Sequence, residues 1–394
     1  MLITDIDFNN KKALVRVDFN VPLNKNLQVT DNTRIKSSMK TITQILKKGG
    51  TCILISHLGR PNGFEKKLSL KNIVGEVQRA LGKKITFVKD CIGDQVKKAC
   101  QKAKKGEVVL LENLRFYPGE EIGDIDFAKS LSELGEIYIN DAFGTAHRNH
   151  ASTGVLPSFF KDKKAMGFLL YEEVAAIDKV LKNGQSPILS IIGGAKVSSK
   201  LEILKNLINV VDDIIVGGGM AYTFIKSQGG EIGNSLCEED FVDEAKKVLL
   251  LAKSKSVRIH LPKDVIASER FCNNSHTEKV NIFKIPKGME GLDIGPLTIK
   301  KFSDIISRSK TILWNGPLGV FEMSNFQNGT KKIATSIAKE TSRGAFSLVG
   351  GGDSISAIKV FGMVDQFSYI STGGGAMLES IEGKILPGVK AILN

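Results

Sequence analysis

Short apolar runs alternate with amphipathic stretches along almost the whole chain. In the first part, residues 13–17, 51–55, 84–88, 107–111 and 136–139 read as strands. Between them, 32–48, 70–81, 92–103 and 125–134 carry the helical period, and Gly49-Gly50 closes the first of these helices. The rhythm lapses over 147–164. A longer helical pattern, 168–182, follows and ends at Asn183-Gly184. The alternation then restarts. Strands are predicted at 187–192, 213–216, 257–261, 311–314, 345–349 and 366–370. Helices are predicted from Val197, over 220–228, 238–253, 297–308, 327–340, 353–361 and 376–382. The stretch between Leu261 and Leu297 reads as irregular and partly extended.

Strand–helix alternation builds right-handed βαβ units on a mostly parallel sheet, an α/β fold. The lapse and the lone helix after it divide the chain into two such domains joined by a helix. In sheets of this kind ligands bind at the carboxyl ends of the strands, so the informative residues should stand just after strands.

Composition agrees with a globular chain of 394 residues, 42% hydrophobic and 25% charged, too long for one ordinary core. The five cysteines show no CxxC spacing, which argues against a disulfide framework or a zinc site and for a reducing compartment. The first residues, MLITDIDFNN, lack the apolar segment of a signal peptide. No apolar run is long enough to span a membrane. The cytoplasm is therefore the expected location. A net charge of +13 allows a nucleic-acid partner, but no basic block is interleaved with aromatics. A small anionic ligand needs only a few well-placed cations.

The first domain gathers such cations. Asp18, Phe19 and Asn20 follow the first predicted strand, and Ser56-His57-Leu58-Gly59-Arg60 follows the second. Glu112-Asn113-Leu114-Arg115 and Asn140 to Gly144, with Arg148, follow two others, and Arg34 stands at the start of a helix. Any single arginine here reads as a surface or ion-paired residue. Arg34, Arg60, Arg115 and Arg148 on one rim, with His57, read as a pocket for a small, multiply anionic substrate, since guanidinium forks suit phosphate and carboxylate.

The second domain uses glycines. Gly193-Gly194-Ala195-Lys196, Gly217-Gly218-Gly219, Asn315-Gly316-Pro317-Leu318-Gly319, Gly350-Gly351-Gly352-Asp353-Ser354 and Gly373-Gly374-Gly375 all follow predicted strands. Each alone reads as a tight turn; five together read as a nucleotide site. Lys196 and Lys200, four apart, would share one helix face. Asp353 beside a helix N-terminus that favours anions suggests Mg²⁺ between carboxylate and phosphate. The stretch also reads as a turn with an aspartate N-cap. Neither G-x-x-x-x-G-K-[ST] nor G-x-G-x-x-G occurs, which argues against a P-loop NTPase and against the usual dinucleotide fingerprint. A nicotinamide-dependent oxidoreductase would need that fingerprint. A non-catalytic basic binding module would leave Lys200, Glu322 and Asp353 without a role. An anion pocket on one domain and a nucleotide pocket on the other suggest phosphoryl transfer.

The segments VRVDFNVP (15–22), SHLGRP (56–61), LLENLRF (110–116), NDAFGTAHR (140–148), GGAKVSSKLEIL (193–204), LPKDVIAS (261–268), DIGPLTI (293–299), LWNGPLGVFE (313–322), VGGGDS (349–354) and STGGGA (371–376) lie in one order along the chain. In these the chain resembles the phosphoglycerate kinase family from end to end. The resemblance implies two Rossmann-like, doubly wound parallel-sheet domains, at 1–167 and 186–382. A helix and hinge at 168–185 would join them, and residues from about 383 to 394 would return to the first. It implies reversible transfer from 1,3-bisphosphoglycerate to ADP, giving 3-phosphoglycerate and Mg-ATP, by a monomer that closes about its hinge. Asp18, Asn20, Arg34, His57, Leu58, Gly59, Arg60, Arg115 and Arg148 would hold the phosphoglycerate. Gly193, Lys196, Lys200, Gly217, Gly291, Asn315, Pro317, Glu322 and Gly351 to Ser354 would hold ADP or ATP, with Glu322 on the ribose and Asp353 on Mg²⁺. Arg34, Lys200, Gly374 and Gly375 would stabilise the phosphoryl group in flight. Tyr117 departs from the family's frequent His without touching any of these roles.

Overall fold

Strand β1 (Lys12–Val17) is buried over its last five residues and β2 (Thr51–Ile55) over its whole length. A strand covered on both faces needs no polar alternation, so such strands read as continuous apolar runs. The computed structural model describes residues 3–394. It divides into two units, residues up to 175 with 385–394, and residues 176–384. The helix Phe168–Leu181 runs across that boundary in the chain.

In the first unit, β1 and β2 are joined by β3 (Thr86–Phe87), β4 (Val108–Leu110), β5 (Ile137–Asp141) and β6 (Lys164–Met166). All pair in parallel, in the order β3-β4-β2-β1-β5-β6. From β1 the chain lays β2, β3 and β4 on one side, with β4 inserted between β2 and β3, and then β5 and β6 on the other, so the order reverses between β1 and β5. The crevice at a reversal is where a doubly wound sheet takes its ligand. The core beneath includes Val15, Val17, Ile42, Leu54 and Ile139, all fully buried. The C-terminal helix Pro387–Leu393 belongs to this unit: Gly388 N–H donates to Ala146 O at 2.8 Å.

The second unit contains β7 (Ile188–Ile192), β8 (Asp213–Val216), β9 (Glu231–Ile232), β10 (Arg258–His260), β11 (Asp264–Ser268), β12 (Thr277–Asn281), β13 (Lys284–Ile285), β14 (Glu290–Ile294), β15 (Thr311–Asn315), β16 (Phe346–Gly350) and β17 (Tyr369–Ile370). Its main sheet, β10-β8-β7-β15-β16-β17, is parallel and reverses between β7 and β15. Trp314, Ile191 and Ile312 are fully buried in its core.

Several expected elements differ. The helix expected over 32–48 is two, Thr33–Ser37 and Met39–Lys47, because at Ser38 the N–H turns back to Ile35 O. The helix expected from Val197 begins at Leu201. Ahead of it, Ser198 bonds the Glu238 carboxylate through its N–H (2.9 Å) and its hydroxyl (2.7 Å), and Ser199 Oγ donates to Lys196 O. Such side-chain bonds compete with the helical ladder. Lys196 therefore stays in a loop and Lys200 is the N-cap, so they do not share a helix face. Asp353 is not an N-cap; Gly351 is. The irregular stretch after Leu261 holds an antiparallel sheet, β12-β11-β14, and β13, which pairs in parallel with the earlier β9. The lapse at 147–164 holds two helical turns, Ala151–Val155 and Leu156–Phe160, and leads into β6. The strands expected over 84–88 and 366–370 shrink to β3 and β17, the latter preceded by a turn at Val364–Gln366.

Candidate active site

The reversal point of the second unit is closed backbone to backbone. Gly193 N–H donates to Asn315 O at 2.8 Å and Gly194 N–H to Pro317 O at 3.1 Å. A Cβ on Gly193 would lie 2.1 Å from Pro317 O, and one on Gly316 2.2 Å from Gly193 O. Only glycine lets these two strand-end loops approach so closely. Gly351 (φ 92°) follows β16, and the helix Gly352–Val360 starts behind it.

Two adjoining cavities open on these loops and share Gly194, Ala195 and Asp353. One, of about 380 Å³, is lined by Lys196, Lys200, Asn315, Gly351, Gly352 and Ser354 among others. It offers two ammonium groups and the N-terminus of a nine-residue helix, a setting for phosphate oxygens. Ser354 Oγ accepts from Gly316 N–H at 2.6 Å, tying that helix to the 316–319 loop. Lys200 Nζ donates to Asn315 Oδ1 at 2.6 Å. Burial holds the Lys200 pKa below the usual lysine range, opposed by the charges of Asp353 and Glu382. The other cavity, of about 270 Å³, is mainly apolar, lined by Tyr222, Leu236, Phe271, Gly291, Leu318 and Val320, with Glu322 at its wall. It suits a flat base with a polar sugar edge. Among the described residues no three His, Cys, Asp or Glu side chains converge on a metal position. One exposed carboxylate, Asp353, beside a phosphate-sized cavity fits a divalent ion held mostly by phosphate oxygens.

The first unit builds a different surface. Arg34 Nη1 lies 3.3 Å from Asp18 Oδ2 and donates to Asn20 O at 3.0 Å. Asn20 Oδ1 accepts from Gly59 N–H at 2.8 Å, and Arg115 Nη1 donates to Gly59 O at 2.8 Å. Asn113 Nδ2 donates to Leu58 O, pinning the same turn. Thus Asp18, Asn20, Arg34, Leu58, Gly59 and Arg115 form one network at the ends of β1, β2 and β4. His57 is 2% exposed. Burial first, then Arg16, Arg115, Arg34 and His150, push its pKa well below the usual histidine value. Burial, with Arg16 and Arg148 nearby, also lowers Arg115 from the ordinary arginine value. Arg60 stands exposed on the same turn.

The phosphoglycerate kinase family profile matches residues 3–384. The chain belongs to the phosphoglycerate kinase family. A phosphoglycerate kinase from Porphyromonas gingivalis is 45% identical over the full length of both chains. One from Dictyoglomus turgidum is 46% identical, over 99% of this chain and 97% of its own. The solved phosphoglycerate kinase of Coxiella burnetii superposes with a TM-score of 0.93 at 38% identity, covering 100% of this chain and 98% of its own. The fold is thus the two-sheet α/β architecture of the family.

Gly217, which follows β8, is packed against the Leu318 that lines the 270 Å³ cavity. A Cβ there would meet Leu318 Cδ2 at 2.3 Å, so this glycine serves packing, while Gly218 and Gly219 line the wall. Gly374 (φ 49°) caps the helix Gly375–Ile381, whose Leu378 reaches the 380 Å³ cavity. Sequence reasoning passed over Tyr222, Leu236 and Phe271, which come from distant apolar stretches. It also passed over Arg16, although an arginine inside the apolar run of β1 signals a buried charge that needs partners.

Proposed function

We propose that this phosphotransferase moves a phosphoryl group reversibly between the acyl phosphate of 1,3-bisphosphoglycerate and ADP, giving 3-phosphoglycerate and ATP. The family membership carries the reaction class, which uses a carboxyl group as acceptor. The observation that best supports the site is the pair of adjoining cavities in the second unit, one apolar and one lined by Lys196, Lys200, Asp353 and a helix N-terminus.

In this reading the nucleotide base occupies the apolar cavity, Glu322 takes the ribose hydroxyls, and the phosphates lie against Lys196, Lys200 and the backbone of 351–354. Mg²⁺ would be held by Asp353 and the phosphates, and it would neutralise charge on them. Asp18, Asn20, His57, Arg60, Arg115 and Arg148 bind the phosphoglycerate. Lys200 and Arg34, with Gly374 and Gly375, stabilise the equatorial oxygens in flight; transfer of this kind is mostly positioning and charge stabilisation. No residue needs to be phosphorylated, so transfer is in line and direct. Closure of the hinge would bring the ligands together and exclude water from the acyl phosphate; small-angle scattering should report compaction with both substrates. A monomer working in the cytoplasm completes the proposal.

The deciding experiment is incubation with Mg-ATP and 3-phosphoglycerate in the presence of hydroxylamine. Hydroxamate should form, and formation should fall sharply in Lys200→Ala and Asp353→Ala. Its absence from folded protein, with a control enzyme active, would overturn the proposal.

A further inference from the structure

Arg16 lies within β1 and is fully buried. A buried guanidinium is costly unless its donors are satisfied. Here Nε donates to Ser152 Oγ at 2.9 Å and Nη1 to Val17 O at 2.6 Å. Nη2 lies 3.2 Å from His57 Nδ1. Ser152 Oγ in turn donates to Glu120 Oε1 at 2.6 Å, and Ser152 N–H to Glu120 Oε2 at 2.9 Å. Glu120 is also fully buried, and its Oε1 stands 4.0 Å from Arg16 Nη2 and 3.9 Å from His150 Nδ1.

A guanidinium only donates. The nitrogen facing it, His57 Nδ1, must therefore present its lone pair, and the ring's proton is on Nε2. We infer that Arg16 is a positioning residue that locks His57 in the neutral Nε2–H tautomer, with Ser152 and Glu120 holding Arg16 in place. Charging the ring would set an N–H of Nδ1 against the N–H of Arg16. Burial and the charges of Arg16, Arg115 and Arg34, with His150 beside them, oppose it too. The inference rests on the reading that His57 meets the phosphoglycerate. An Nε2–H donates to an anionic oxygen; the other tautomer would face it with a lone pair and repel it. The tautomer thus sets the sign of the contact.

The test is ¹⁵N–¹H correlation of the imidazole rings of the ligand-free protein at pH 7. The chain has five histidines, and the His57 signals are assigned by their loss in His57→Gln. The expected pattern is protonated Nε2 and unprotonated Nδ1. A ring protonated on Nδ1, or on both nitrogens, would overturn the inference. In Arg16→Gln, whose amide can accept as well as donate, the tautomers should mix, and KM for 3-phosphoglycerate should rise roughly tenfold, the cost of one misdirected charged hydrogen bond, while KM for ATP stays within about twofold. Should Arg16→Gln fail to fold, Ser152→Ala, which removes the bridge to Glu120, carries the same expectation with a smaller shift. A Ser152→Ala protein with unchanged His57 signals and unchanged KM would contradict the supporting role of Ser152 and Glu120. An unchanged KM for 3-phosphoglycerate in His57→Gln would instead refute the substrate reading and leave the tautomer assignment standing.

Discussion

Lys200 Nζ is held by Asn315 Oδ1 at 2.6 Å, and Asn315 Nδ2 donates onward to Gly350 O at 2.9 Å. The ammonium at the wall of the 380 Å³ cavity is thus oriented by a neutral amide. Lys200→Ala should lower kcat by about 10²-fold or more, with only a few-fold change in nucleotide KM, because its charge acts mainly in the transition state. Asn315→Ala, which leaves the charge but frees it, should cost about tenfold in kcat. Steady-state kinetics of both variants checks this; a loss confined to KM contradicts the role.

The glycine contacts between the 193–194 and 315–317 loops predict an order of stabilities. In Gly193→Ala the new methyl meets two backbone carbonyls, which cannot swing away. The cost should be about 1–3 kcal/mol, read as a lowered Tm and weakened nucleotide binding. Gly194 has φ 113° but open space where a Cβ would go. Gly194→Ala should therefore cost less than Gly193→Ala, through backbone strain of about 1 kcal/mol. The reverse order in thermal unfolding would refute the packing account.

Asp353 is the single carboxylate shared by both cavities. Asp353→Asn should raise the Mg²⁺ concentration for half-maximal turnover by about tenfold, and calorimetry should show Mg-ADP weakened more than metal-free ADP. Chelation of Mg²⁺ should abolish turnover in both proteins. Equal weakening of ADP with and without metal would remove Asp353 from the metal site.

Asp141, at the end of β5, accepts from the N–H groups of Leu169 (2.9 Å) and Leu170 (3.4 Å) at the start of the helix Phe168–Leu181. It is fully buried, and burial outweighs these bonds and that from Thr41, raising its pKa to about 8. Unfolded, it ionises near about 4. Between those values the folded chain binds the extra proton, so this residue's contribution makes stability fall as pH rises from about 4 to 8. Asp141→Asn keeps an acceptor without the charge. It should flatten the fall in Tm between pH 5 and 8 and be more stable than the parent at pH 8.5, by about 1–3 kcal/mol. Matching pH profiles of the two proteins would argue against a neutral Asp141.

Legibility differed between the parts of the molecule. The strands β1, β2, β5, β7, β8 and β15 were readable because burial on both faces writes itself as an unbroken apolar run. The chemistry at their ends was readable because βα turns carry glycine, arginine and aspartate against that background. The sheet β12-β11-β14 was not readable: β12 is exposed except at Val280, which is intermediate, so it lacks the apolar stripe that marks a strand. The start of the helix at Leu201 was hidden too, since it depends on the carboxylate of Glu238, 40 residues from Ser198.

The sequence by itself determined the α/β class, the family, and the kinds of residue that stand at the strand ends, because periodicity and turn chemistry are local. Tertiary structure alone decided which partner each residue keeps. Lys200 reaches Asn315 across 115 positions and Arg16 reaches Ser152 across 136. A parallel sheet brings such residues together only through crossovers, so a charge's partner, a histidine's tautomer and the burial that shifts a carboxyl group are all set when distant strands arrive side by side.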